Sequence, residues 1–204
     1  MLLVKNILEN EENDFFILEE KIWPNELQAT LEQLKYRRSI FPEGTFGIRY
    51  NDEPVGYAFS QIVSFEYNCS ISQLEEYLPL KGKLSSCHNP KGNALHLMAG
   101  GIVPTFRNCG LWDLLISTRF SIAKKLGLKF LLIDTRMPFY SKYYEEHGSI
   151  LPVDYAYLRL HGNYVDPLIN HLAKLGFNIL SPTRSSYIDY ESGNCWIYMV
   201  KQIK

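Results

Sequence analysis

Apolar residues recur along the chain with two different spacings, which predict strands and helices. Short apolar runs predict strands at residues 2–8, 46–50 and 55–63. Helical spacing appears at residues 14–22 and 25–36, with a break at Pro24. The polar turn at residues 51–54 predicts a β-hairpin.

A strand, a turn, a helix and a second strand follow one another in the middle of the chain. Residues 94–103 are mostly apolar and end at Pro104, which lacks a ladder donor and takes the chain out of the sheet. Helical spacing starts at Leu111, and Gly127 after two lysines marks the end of the helix. Residues 129–133 resume as a buried strand. Together with the hairpin, this unit predicts an α/β (α+β) fold with a mixed sheet covered by helices.

The turn before this helix has the residues of an anion-binding loop. A helix start exposes unpaired backbone N–H groups and the positive end of the helix dipole. Arg107 adds a permanent cation, and Gly110 allows a phosphate to approach the main chain. The loop therefore suits a cofactor that carries a pyrophosphate, although a glycine that only serves a tight turn is the alternative.

Residues 103–112 resemble the GNAT acyltransferases (GCN5-related N-acetyltransferases). In that family the fourth strand and third helix carry an Arg/Gln-x-x-Gly-x-Gly/Ala loop around the pyrophosphate of coenzyme A. The matching residues here are Val103, Pro104, Arg107 and Gly110. The chain departs from the pattern at Asn108, where glycine is frequent, and at Trp112, where glycine or alanine is usual.

The resemblance implies that acetyl-CoA, or another coenzyme A ester, is the acyl donor. The cofactor-binding residues that it implies are Ile102, Val103, Arg107, Asn108, Cys109, Gly110, Leu111 and Trp112. Ile102 and Val103 would offer backbone groups to the pantetheine arm, which pairs with the fourth strand like an added strand. Their side chains serve equally well as core.

Further matches extend the resemblance over most of the chain and narrow it to a subgroup. This subgroup includes GNAT domains fused to carbon–nitrogen hydrolases and the acyl-loading GNAT domains of polyketide assembly lines. The matching segments lie at residues 41–44, 56–62, 135–140, 155–167 and 186–193. The implied fold is a central, mostly antiparallel sheet with splayed fourth and fifth strands, flanked by helices. A single domain over residues 1–204 is expected.

Composition and charge exclude several classes of binding partner but say little about the chemistry of the protein. The 204 residues are 46% hydrophobic, which is enough for one substantial core without disulfides. The formal net charge of −1 provides no general field for nucleic acid or an anionic membrane, so neither partner is expected. The four cysteines form no CxxC pair, so no metal site is expected. With no leader or membrane-spanning run in the sequence, a cytoplasmic location is the expectation.

Acyl transfer to an amine needs a base, because an ammonium group cannot attack a thioester. His96 lies in an otherwise apolar strand, near the place where some GNAT enzymes have a catalytic glutamate. An imidazole titrates near neutral pH, which suits this task. A histidine at the edge of the core, bonded to a backbone carbonyl, is the equally weighted alternative.

The departing thiolate benefits from an acid, which the family commonly takes from the helix before the sixth strand. That position falls on Leu172, while His171 beside it is about 100° around the helix. The loading domains pair a histidine there with a threonine that matches Thr135. Tyr187 matches a tyrosine that the subgroup keeps in its last turn, where the hydroxyl would orient the acceptor or protonate the thiolate.

The sequence therefore predicts an acyltransferase that moves an acetyl or other short acyl group from coenzyme A to an amine of a small molecule or protein. Direct attack in a ternary complex is expected, because Cys109 lies in the pyrophosphate loop and not at the thioester end. One alternative is loading or transfer of acyl groups on an acyl carrier protein. The other is a non-catalytic relative that binds acyl-CoA, for which Trp112 and Leu172 argue.

Overall fold

The computed structural model describes residues 1–67, 87–184 and 188–204. It divides into two compact units, Met1–Leu131 with Ile203–Lys204, and Leu132–Gln202. The single domain over residues 1–204 stays a prediction. Most of the segment at residues 70–92, expected to form a helix and a loop, lies outside the described residues, as does Tyr187.

The first unit is built on an antiparallel sheet with strand order β1-β2-β3-β4. Its regular elements are β1 (Leu2–Asn6), α1 (Glu12–Ile22), α2 (Leu31–Ile40), β2 (Phe46–Tyr50), β3 (Glu53–Val63), β4 (Ala94–Ile102) and α3 (Leu111–Lys125). The predicted hairpin joins β2 to β3, and its two central residues, Asn51 and Asp52, have φ of 48° and 69°. Both residue types tolerate this left-handed conformation, which two-residue hairpin turns require.

Helices pack on this sheet from two directions, and two adjacent glycines of β4 allow their close approach. A side chain at Gly101 would collide with Ile22 of α1, and one at Gly100 would lie 2.7 Å from the guanidinium of Arg119 of α3. Successive strand residues point to opposite faces, so α1 and α3 contact opposite faces of β4. The core of this unit includes Phe15, Leu18, Ile48, Tyr57 and Leu115.

A buried acid fixes the chain after α1. Glu19 accepts hydrogen bonds from the hydroxyl of Tyr57 and from the backbone N–H of Ala29, the latter at 2.7 Å. The indole N–H of Trp23 donates to the same hydroxyl at 2.7 Å. Burial, with the nearby Glu19 charge, raises the pKa of Tyr57 well above its usual value, so the hydroxyl remains a donor.

The helix predicted at residues 25–36 is wrong in its boundaries. A 3₁₀ turn occupies Asn25–Leu27, and α2 begins only at Leu31. Thr30 and Gln33 form a capping box, in which each side chain bonds the other residue's backbone N–H. This local pairing starts a new helix where the hydrophobic spacing alone suggested a continuous one.

The end of α3 agrees with the prediction. The helix ends after Lys125, and Gly127 has φ of 68°. The N–H of Leu128 donates to the carbonyl of Ala123 at 2.9 Å, the bond that closes a Schellman motif. No described helix combines the length and apolar character needed to cross a membrane.

The second unit has strand order β5-β9-β8 and a separate small hairpin. Its regular elements are β5 (Phe130–Arg136, which begins in the first unit), α4 (Tyr140–His147), α5 (Pro152–Tyr157), β6 (Arg159–Leu160), β7 (Asn163–Tyr164), α6 (Pro167–Lys174), β8 (Asn178–Arg184) and β9 (Cys195–Gln202). Asp166 caps α6 by accepting from the N–H groups of Leu168 and Ile169, which fixes the start of that helix.

An ion pair connects the end of β5 to the turn before β9. Arg136 donates to both carboxylate oxygens of Asp189, at 2.9 and 2.6 Å, and to Glu191 at 2.7 Å. Trp196 donates its indole N–H to Asp189 at 3.1 Å. Burial alone would raise the pKa of Asp189, but the Arg136 hydrogen bonds outweigh it and hold the pKa below its usual value. Arg136 is therefore paired with two carboxylates.

Asp189→Asn tests this ion pair. Because its folded-state pKa is lowered, Asp189 stabilises the fold above the usual carboxyl pKa and loses this effect as pH falls through the folded value. At pH 7 we expect the variant to lose about 3 kcal/mol, the cost of breaking a buried pair. The difference from wild type should shrink as pH falls below the ordinary carboxyl pKa of about 3.9, towards the lower pKa of the folded state.

Urea denaturation at several pH values measures both effects. Glu191→Gln is the matched control, because Glu191 is largely exposed and its removal should cost about 1 kcal/mol or less. Identical midpoints for wild type and Asp189→Asn at pH 7 would contradict a stabilising role for the pair.

Candidate functional site

The segment from Val103 to α3 keeps its own backbone hydrogen bonds. The N–H of Phe106 donates to the carbonyl of Val103 at 3.0 Å, and that of Arg107 donates to Pro104 at 3.2 Å, which forms a 3₁₀ turn. Arg107 leaves this turn in extended conformation, with its side chain exposed. The proline thus ends β4 and places the cation just before the helix, as the sequence predicted.

Two left-handed residues shape the loop. Asn108 has φ of 61° and Gly110 has φ of 74°. Asparagine adopts this conformation more readily than other residues with a side chain, so Asn108 can replace the glycine frequent in the family. Next to Asn108, Cys109 is exposed, with its Sγ 3.5 Å from the carbonyl oxygen of Arg107.

The N-terminus of α3 is open to a ligand. Gly110 is the N-cap residue and provides no side-chain hydrogen bond to the first amides of the helix. A side chain placed at Gly110 would meet no atom within 4 Å, so the space beside Gly110 is open. The first-turn amides lack intrahelical partners and carry the positive end of the dipole. This arrangement fits a pyrophosphate.

The two bulky residues of the first helical turn point into the core. Leu111 is 7% exposed and belongs to the hydrophobic cluster of the first unit. Trp112 is partly buried and packs against that same cluster, with its indole N–H shielded from solvent. These side chains therefore leave the loop open, and Leu111 and Trp112 would contribute backbone amides to a bound anion.

The pairing of β4 with β3 determines which backbone groups are directed outward. The N–H of Val103 donates to the carbonyl of Val55 at 3.0 Å, and its own carbonyl accepts from Phe106. In an antiparallel ladder the backbone groups of alternate residues point to the same side. In the observed register, those of Ile102 and Gly100 therefore point away from β3. Of the predicted pair, Ile102 is suited to an added strand, whereas Val103 already uses its N–H within the sheet.

His96 is buried in β4 beside a polar partner. The side chain is 2% exposed, and its Nδ1 lies 3.1 Å from Nε2 of Gln61, its cross-strand neighbour on β3. When the amide N–H donates to Nδ1, the ring proton resides on Nε2. A half-turn of the Gln61 amide reverses these roles, because the amide oxygen then accepts from Nδ1 and the ring proton moves from Nε2 to Nδ1. Gln61 therefore controls which nitrogen can act as a base.

Comparison with known proteins identifies the fold of the chain. No protein-family model matches the chain. It is 29% identical over 205 residues to the uncharacterized N-acetyltransferase YkwB of Bacillus subtilis, covering 97% of this chain and 87% of that protein. The loading GNATL domain of CurA from Lyngbya majuscula superposes with a TM-score of 0.82 at 21% identity, over 99% of this chain and 98% of that domain. The chain has the GNAT fold.

A second solved structure with this fold is the GphF GNAT-like decarboxylase in complex with isobutyryl-CoA. It superposes with a TM-score of 0.79 at 21% identity, covering 99% of this chain and 100% of that one. The mixed α/β class and the resemblance to GNAT proteins that the sequence predicted are both confirmed. Other GNAT-fold structures among the matches also contain coenzyme A or an analogue of it.

The remaining predicted catalytic residues belong to the second unit of this GNAT fold or lie outside the described residues. Thr135 is 5% exposed on β5. His171 is half-buried on α6, and Leu172 beside it is fully buried. The helix therefore directs Leu172 into its packed face, so His171 does not occupy that inward position. Tyr187 lies outside the described residues.

Sequence reasoning missed two polar residues of the first unit. Gln61 was part of a matching segment but was given no role. Arg119 is 1% exposed in the middle of α3, where it donates to backbone carbonyls. A sequence signal for it existed, because position 119 follows Leu115 and Ile116 by four and three residues and so falls on the buried stripe of the helix.

Proposed function

We propose that the protein is an acyltransferase that moves an acetyl or other short acyl group from coenzyme A to an amine. The observation that carries the proposal is the N-terminus of α3, which has no side-chain cap, together with the open space beside Gly110 and the exposed Arg107. This set of donors matches a doubly charged pyrophosphate, and the proposal agrees with the GNAT fold.

Each part of the loop has a separate task in binding. Arg107 contributes a full positive charge, and the amides from Asn108 to Trp112 are candidate donors to phosphate oxygens. Cys109 is exposed in the same loop and would therefore lie near the pyrophosphate, which argues against a covalent acyl-cysteine intermediate. The pantetheine arm would follow the side of β4 that faces away from β3, past Ile102, and reach Gly100 two residues on, about 7 Å further.

The chemistry that remains for the protein is to take a proton from the acceptor amine and to supply one to the thiolate. His96 is the candidate base, in the tautomer with its ring proton on Nδ1, which a half-turn of the Gln61 amide would favour. Because the ring is buried, it would act through direct contact or through one water. Tyr187 is the candidate acid. The amine would attack the thioester directly, without a covalent enzyme intermediate.

The first test is binding. Arg107→Ala should weaken the affinity for acetyl-CoA about tenfold or more, because a charge-assisted contact contributes about 1.5 to 3 kcal/mol. Isothermal titration calorimetry measures the change. Lys124→Ala removes the same charge from the other end of α3, and Trp112→Phe preserves the packing of the first turn, so both controls should bind as wild type does. An unchanged affinity in Arg107→Ala would contradict the assignment of the loop.

The second test asks whether His96 is the catalytic base. With an amine acceptor identified from a panel, His96→Ala should lose on the order of 10² to 10⁴ in turnover while keeping its affinity for coenzyme A. Gln61→Glu should preserve turnover and move its pH profile upward, because a carboxylate holds the ring proton on Nδ1 and favours the protonated ring. Tyr187→Phe serves as the acid control. Folded His96→Ala protein with full turnover and an unchanged pH profile would remove His96 from the mechanism.

The alternative function is acyl loading with decarboxylation, in which an acyl carrier protein is the partner. It is favoured by the high similarity of the fold to a polyketide loading domain and to a GNAT-like decarboxylase. In this chain Thr135 supplies one half of the pair that loading relatives use. The position of their histidine is occupied by Leu172, which is buried and carries no proton to donate or accept.

Incubation with malonyl-CoA separates the two functions. We expect the malonyl group to remain intact, because Leu172 replaces the required histidine. Mass spectrometry of the coenzyme A esters follows the reaction, with Thr135→Ala and His171→Ala as companion variants. Formation of acetyl-CoA that is lost in both variants would establish the alternative and show that His171 reaches the thioester from its neighbouring position.

A further inference from the structure

Arg119 is a buried cation with backbone partners. It is 1% exposed, and no carboxylate pairs with it among the residues described. Its Nη2 donates to the carbonyl oxygen of Ala99 on β4 and, at 3.4 Å, to that of Phe59 on β3. Burial lowers the pKa of Arg119 to about 9, so the guanidinium is charged at neutral pH. Removing such a group from water is costly, and simple packing would need no charge here.

The guanidinium contacts the last regular pair before a bulge. Phe59 pairs with Ala99, but the next pair is Gln61 with His96. Two residues of β4, Leu97 and Met98, therefore lie opposite a single residue of β3, which is the pattern of a β-bulge. Arg119 binds the two carbonyls at the edge of this irregularity, and the absence of a side chain at Gly100 provides the room.

The direction of the peptide that follows Ala99 comes from the ladder. Val55 and Val103 form a hydrogen-bonded position, so Phe59 and Ala99, four residues along each strand, form another. The carbonyl of Ala99 thus points toward β3. In the same trans peptide the N–H of Gly100 points the opposite way, away from β3. A cation on the carbonyl polarises the whole peptide and makes that N–H a stronger donor.

We propose that Arg119 is a positioning residue that orients and polarises the Gly100 N–H to bind the acyl carbonyl of the thioester. This inference rests on the proposed function, because it takes the pantetheine arm along Ile102 to Gly100. Arg119 lies on the α3 side of the strand and acts only through the Ala99–Gly100 peptide. Its effect should therefore appear at the acyl group and not at the pyrophosphate.

Infrared spectroscopy of bound acetyl-CoA, labelled with ¹³C at the thioester carbonyl, reads this contact without an acceptor. A hydrogen bond to the carbonyl lowers its stretching frequency relative to free acetyl-CoA. We expect wild type to show this lowering and Arg119→Met to lose most of it. In calorimetry, the variant should lose about three- to tenfold in affinity for acetyl-CoA, as one hydrogen bond of ordinary strength predicts, and keep its affinity for coenzyme A.

Two further variants keep the test decisive. Gly100→Ala places a side chain against the guanidinium and should reproduce the loss of the frequency shift even if Arg119→Met fails to fold. Ile116→Ala removes packing from the same buried face of α3 and should lower thermal stability while preserving the shift.

The possible results distinguish a failure of the Arg119 role from a failure of the proposed function. Suppose that wild type binds acetyl-CoA and that this binding depends on Arg107. If the carbonyl frequency is then the same in wild type, Arg119→Met and Gly100→Ala, the proposed role of Arg119 is wrong and the proposed function stands. A wild-type protein that binds neither acetyl-CoA nor coenzyme A overturns the proposed function, and the role of Arg119 with it.

Discussion

The antiparallel pairing of β3 with β4 decides which backbone groups of the candidate site can meet a ligand. It occupies the N–H of Val103 and directs the backbone groups of Ile102 and Gly100 outward. Pro104 then ends the strand, and the 3₁₀ turn delivers the chain to α3. A shift of one residue in this register would exchange the backbone groups of β4 that face β3 with those that face away from it. The position of the loop and the direction of these backbone groups therefore depend on one ladder.

Two arginines lie near this ladder, one exposed and one buried. Arg107 is exposed next to the first-turn amides of α3, where a mobile anion can reach it. Arg119 is buried and bound to strand carbonyls, so its charge acts through the peptide group. On the opposite face of the sheet, Glu19 is buried and receives donors from Tyr57 and Ala29. A buried group holds a fixed geometry because leaving its partners unsatisfied is costly, which suits a role in positioning.

The sequence predicted what depends on local chemistry. The strand ending at Pro104, the helix beginning at Leu111 and its stop at Gly127 all follow from residue types that control neighbouring backbone. Features set by distant partners were not predictable. Asp189 holds Arg136 across 53 positions, and the bulge opposite Ser60 exists only in the pairing of two strands. The spacing of apolar residues predicted one helix over residues 25–36, and it gave no sign of the capping box at Thr30 that starts a separate helix within that range.

We propose that one ligand, coenzyme A, binds both the amides at the start of α3 and the amides of β4 that face away from β3. Nuclear magnetic resonance of the ¹⁵N-labelled protein, titrated with coenzyme A, observes these amides individually. We expect saturable shifts at Gly110, Leu111, Trp112 and Ile102, while the amides of β1 remain unchanged. A titration that leaves the α3 and β4 amides unshifted, or shifts them no more than those of β1, would contradict it.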